Sequence, residues 1–109
     1  MKKIQILVIG RDADILQTVV RLVNKNEQWN ATGTGKDETA IELFHQHSYD
    51  LVLLGGGIES DSELKLRKIF TLQNPDIKII QHWGGGSALL ENEIHAALEI
   101  NEGGNLHIG

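Results

Sequence analysis

A chain of 109 residues is the size of one domain and buries roughly two-thirds of the surface its unfolded form exposes, enough for a single continuous core. Hydrophobic residues at 40% and charged residues at 23% are close to ordinary globular usage and favour neither disorder nor a fibrous architecture. A net charge of −5 with ten scattered Lys and Arg offers no basic face for nucleic acid, and the lack of cysteine excludes disulfides, thiolate nucleophiles and cysteine-held metals.

Met1-Lys2-Lys3 precedes an apolar run that ends at Ile9, too short for a secretory segment or a membrane span. The expectation is one cytoplasmic domain, residues 1–109, with neither membrane nor nucleic acid as partner. Ile4 to Ile9 is β-branched and apolar and ends at Gly10, which predicts a strand buried on both faces of a parallel sheet. Asp12 can cap a helix in which Ile15, Leu16, Val19, Val20, Leu22 and Val23 recur along one face. Trp29 to Thr34 predicts a more polar edge strand, and a helix from about Asp37 turns Ala40, Ile41, Leu43 and Phe44 inward.

Tyr49 to Leu54 is a second buried strand, ended by Gly55-Gly56-Gly57. Ser60 with Glu63 forms a capping-box pattern for a helix running through Leu66, Ile69, Phe70 and Leu72 to Asn74-Pro75. Ile77 to Ile80 is the fourth strand. Gly84-Gly85-Gly86 separates it from Ser87 and a last helix striped by Leu90, Ile94, Ala97 and Leu98. In the glycine-rich tail, Leu106 and Ile108 allow at most a very short fifth strand.

Alternating strands and helices predict βαβ units with right-handed crossovers. The fold class is α/β: a three-layer, flavodoxin-like doubly wound parallel sheet in the order 2-1-3-4, shortened at its C-terminal end. Active centres of such sheets lie at the carboxyl ends of the strands.

Ile6-Leu7-Val8-Ile9-Gly10-Arg11-Asp12-Ala13-Asp14-Ile15-Leu16, Gly35-Lys36-Asp37-Glu38-Thr39-Ala40 and Tyr49-Asp50-Leu51-Val52-Leu53-Leu54 resemble response-regulator receiver domains, over about Lys2 to Ile80. The resemblance implies a phosphoacceptor Asp ending strand three, an acidic pair ending strand one, a Ser or Thr ending strand four and a Lys ending strand five. Here the phosphoacceptor position falls on Gly55, which has no nucleophile. The acidic pair falls on Gly10 and Arg11, followed by Asp12, and the hydroxyl position on His82 or Trp83. No lysine follows Lys78. Carboxylates that would hold magnesium are replaced by a positive charge, so the resemblance implies a degenerate receiver with no metal and no cofactor.

Against an intact receiver of five strands and five helices, the resemblance implies a shortening after strand four. In one threading Ser87 to Glu99 is the fourth helix and a remnant fifth strand follows it; in the other it stands for the family's last helix, which its Leu89-Leu90, Ile94, Leu98 pattern resembles better, with the intervening helix and strand deleted. Asp50 lies at the far end of the sheet, Asp12 reads first as a helix cap, and Asp14 and Glu59 read as solvated. His45 and His47 point about 200° apart on a helix and cannot grip one ion. His82, with no partner in view, sits in the expected cleft.

Two functions of different class follow. The leading expectation is a non-enzymatic, phosphorylation-independent pseudo-receiver that binds a protein partner or itself as a homodimer, with Ile79 and Trp83 as candidate interface residues. The alternative is a small-ligand or phosphate-binding protein using Gly55, Gly56, Gly57, His82, Gly84, Gly85 and Gly86, because glycines at strand ends let a ligand approach the backbone.

Overall fold

The structure is a computed structural model that describes residues 3–82 and 87–106. Its elements are β1 (Ile4–Ile9), α1 (Ala13–Asn24), β2 (Trp29–Thr34), α2 (Asp37–Gln46), β3 (Leu51–Leu54), α3 (Ser60–Gln73), β4 (Lys78–Gln81) and α4 (Ser87–Leu106). The strands form one parallel sheet in the order β2-β1-β3-β4, the order expected.

β1 and β3 are the inner strands, and Ile6 to Ile9 and Leu51 to Leu54 are all buried. Because side chains alternate across a strand, Ile6, Val8, Leu51 and Leu53 join α1 and α4 on one face. Leu7, Ile9, Val52 and Leu54 join Ala40, Phe44, Leu66 and Phe70 of α2 and α3 on the other. The result is the expected three layers. Asp12 caps α1 as anticipated, its Oδ1 accepting from the amides of Asp14 and Ile15 at 3.0 Å.

Three local expectations are corrected. Ser60 is the first residue of α3 rather than its cap, which is Glu59 without a side-chain bond; Glu63 instead accepts from Arg67 at 2.8 Å and Gln81 at 3.0 Å. Leu72 faces out, 74% exposed, because Leu66 and Phe70 already fill the inward row. Leu106 ends α4 rather than forming a fifth strand; the Gly103-Gly104 pair disfavours a helix by about 1 kcal/mol each without breaking it. Ile108 lies outside the described residues.

The position of α4 decides between the two threadings. The β1→β2 crossover runs one way along the sheet, while β2→β3 and β3→β4 run the other. Right-handed connections therefore put α1 on one face and α2 and α3 on the opposite one. A helix leading on to a further strand beyond β4 would lie with α2 and α3. α4 lies with α1, so it stands in the place of a terminal helix. Among the described residues no helix is long and apolar enough to cross a membrane.

Candidate functional site

The carboxyl ends of β1, β2 and β3 converge on Arg11. Its Nη1 donates to the Gly35 carbonyl at 2.9 Å, and Nε donates to Glu59 Oε1 at 3.0 Å. Nη2 lies 2.9 Å from Asp37 Oδ1 and 3.0 Å from Glu59 Oε1. Lys65 on α3 stands 3.4 Å from Asp37 Oδ2. One guanidinium thus ties the end of β1 to the first turns of both α2 and α3.

Side-chain exposure falls from 69% at Glu59 to 26% at Arg11 and 11% at Asp37, so Asp37 is the enclosed member. Its Oδ1 is buried without a well-aligned donor, and its 2.9 Å contact with Arg11 is an ion pair more than a hydrogen bond. Burial opposes ionisation of Asp37, but the Ser62 hydroxyl, Arg11 and Lys65 outweigh it and hold the carboxyl below the usual carboxylate range. Glu59 is also held low, first by its own backbone amide and then by Arg11. Desolvation works against the charge on Arg11, yet Glu59 and Asp37 raise its pKa further.

The loop after β3 approaches this cluster closely. The Gly55 amide donates to the Ile9 carbonyl at 2.7 Å, and a Cβ there would stand 3.3 Å from that oxygen. Gly57 has φ +84, a left-handed conformation that favours glycine, and turns the chain past Arg11.

Behind the loop a cavity of about 380 Å³ opens between α1, the ends of β1 and β3, and the start of α4. Gly10, Arg11, Asp12, Gly55, Gly56 and His82 line it on the polar side; Ile15, Leu16, Val19, Leu22 and Leu90 make its apolar wall. Gly57 does not line it. Gly84, Gly85, Gly86 and Trp83 lie outside the described residues.

His82 is not the unpartnered imidazole that was expected. It is 8% exposed, its amide donates to the Leu54 carbonyl at 2.9 Å, and its Nδ1 is bonded to Glu93 Oε1 on α4. Glu59 is likewise corrected: it is exposed, but it is paired with Arg11 rather than simply solvated. Asp50 is at the opposite end of the sheet, as anticipated, where Oδ2 accepts from the Gln5 amide at 2.8 Å. Ile79 packs its side chain on the α2/α3 cluster, which leaves its backbone, not its side chain, at the sheet edge. Asp37, Lys65 and Glu93 were missed. The available signal was an isolated arginine at the end of β1 with acidic residues opening both α2 and α3.

No protein-family model matches the sequence, and no curated protein matches it. Solved structures do match. The response regulator protein TrrA from Thermotoga maritima, in complex with Mg(2+)-BeF, is 24% identical over 77% of this chain and 72% of that one, with a TM-score of 0.62. The complex of histidine kinase ThkA with TrrA gives 21% identity over 90% of this chain and 99% of that one, with a TM-score of 0.68. A response regulator receiver protein from Pseudomonas putida gives 14% identity over 87% and 80%, with a TM-score of 0.61. The fold is that of a receiver domain. At these identities the likeness extends to the fold alone, and the chemistry must be argued from the residues of this chain.

Proposed function

We propose that this chain is a receiver-like signalling module that acts through protein–protein contact and is not phosphorylated. The observation that carries this reading is the Arg11 cluster at the carboxyl ends of the strands. Where a receiver gathers carboxylates to hold magnesium, this chain has Gly10 and Arg11, and where the nucleophile would stand it has Gly55. Asp37 and Glu59 are already paired with Arg11, and Asp12, beside it in the cavity wall, spends Oδ1 on the amides of Asp14 and Ile15. Magnesium needs free carboxylate oxygen to offset its reluctance to lose water, so the donor set does not fit the ion. A fixed guanidinium instead joins the three elements at this end and holds one arrangement without a bound phosphoryl group.

A second reading is favoured by the cavity. Its volume falls within the ~300–1,000 Å³ typical of ligand pockets, and Gly55, Gly56 and His82 line it. Phosphate suits it poorly, because Arg11 is neutralised by two acids, so an uncharged, largely apolar molecule is the ligand class that fits.

Thermal melting separates the two. A ligand at 100 times its dissociation constant stabilises by about 2.7 kcal/mol, which moves the midpoint of a domain this size by several degrees. The proposed function expects a flat response to magnesium with beryllofluoride, acetyl phosphate, nucleotides and flavins. A rise with beryllofluoride and magnesium overturns it, and a rise with an apolar or flavin compound alone moves the assignment to the second reading.

A further inference from the structure

The two edges of the sheet differ. β2 presents Asn30, Thr32, Gly33 and Thr34, whereas β4 carries Ile79 and Ile80, both half-buried. No described strand pairs with the outer side of β4, and an edge of this kind is a template for another strand. Building on the interaction-module reading, we infer that β4 pairs antiparallel with β4 of a second copy of this chain, joining two sheets into one.

Backbone geometry fixes which groups are available. The His82 amide donates to Leu54 O, and Leu54 is the register partner of Gln81, so the amides and carbonyls of Ile80 and His82 point into the sheet. Direction alternates along a strand, and those of Ile79 and Gln81 therefore point outward. The Ile77 amide also points outward, but Asn74 O takes it at 3.0 Å. Ile79 and Gln81 are left with both a donor and an acceptor to offer.

The faces restrict the register. Ile77 and Ile79 pack on the α2/α3 layer and Ile80 on the α1/α4 layer. A two-fold axis perpendicular to the sheet keeps each layer on its own side, so residues of the same parity must oppose each other. A slip of one residue would set the α4 layer of one copy against the α3 layer of the other. Pairings centred on Ile79 or on Ile80 both satisfy this.

Charge selects between them. Lys78 and Glu93 line one groove of about 440 Å³ beside β4. Centring on Ile80 sets Lys78 opposite His82 of the second copy, next to the Glu93 that bonds that histidine, and symmetry repeats the pair. Ile79 of each copy then exchanges both backbone hydrogen bonds with Gln81 of the other. Centring on Ile79 puts Lys78 beside Ile80 and makes no such pair. Ala96 and Ala97, which line the same groove, are small enough for the two α4 helices to lie side by side.

The test is molar mass of the full chain by light scattering over a concentration series. The expected mass approaches twice the 12.1 kDa chain. Gln81→Pro removes an outward amide without touching a β3–β4 bond, and Lys78→Glu sets acid against acid. Both are expected to give monomers with the wild-type circular dichroism spectrum, and if the proline variant fails to fold, Lys78→Glu decides alone. A wild-type monomer at every concentration overturns the inference, as does a dimer that survives either substitution in a folded protein. A monomer that also fails to accept a phosphoryl group leaves the proposed function standing, so the two failures are distinguishable.

Discussion

Replacing Phe70 with alanine is expected to lower stability by about 3–5 kcal/mol, the usual cost of emptying a fully buried aromatic site. Phe70 is 0% exposed. Its ring lies 4.4 Å from that of Phe44 on α2, at an interplanar angle of 31°, so one side chain holds α3 against α2. Aromatic pairs of this kind add about 0.5–1.5 kcal/mol beyond the area they bury. Since domains of this size are stable by only about 5–15 kcal/mol, the variant keeps a small margin. The effect reaches the site as well, because α2 carries Asp37 and α3 follows Glu59, and loosening the helices separates the two acids that Arg11 joins. Urea unfolding measures the loss; a shift below about 1 kcal/mol would show that the contact does not organise this face.

The second large effect is at Arg11. Breaking a buried pair by removing one partner costs about 3–5 kcal/mol, and partial exposure of Arg11 reduces that, since exposed pairs contribute less than about 1 kcal/mol. Arg11→Ala is expected to cost about 2 kcal/mol at neutral pH, between those limits. The loss depends on pH with a definite sign. Asp37 has a folded pKa below its unfolded value, so its contribution is present above the unfolded pKa of about 3.9 and disappears as pH falls through the lower folded value. Without Arg11 that contribution shrinks, and the wild-type and variant curves converge in acid. Urea midpoints from pH 7 to pH 3 measure this. A difference that stays constant across the range would mean that Arg11 acts by packing its stem rather than by charge.

The strands were legible because each announces itself locally. Ile4 to Ile9 and Leu51 to Leu54 are apolar runs cut off by glycine, and doubly covered strands need nothing else. The order 2-1-3-4 was expected from the flavodoxin-like alternation of strands and helices, and crossover handedness then fixes only the face on which each helix lies. α4 was less legible, because Gly103 and Gly104 read as an end although helix continues through them. The site was harder still. Arg11 was visible as a charge in the wrong place, but its partners lie at Asp37 and Glu59, far along the chain, and no periodicity relates residues brought together by two crossovers. His82 and Glu93 show the same limit: an acid beside the inward residue Ile94 reads as solvated until the β4 end is laid beneath it.

We propose that the carboxyl end of this sheet is closed to phosphoryl chemistry by Gly55 and Arg11. Intact mass spectrometry after incubation with acetyl phosphate and magnesium tests it most directly. The expected spectrum contains only the unmodified chain at every time point. A species heavier by one phosphoryl group, sensitive to hydroxylamine as an acyl phosphate is, would place a working nucleophile on this chain and contradict the account.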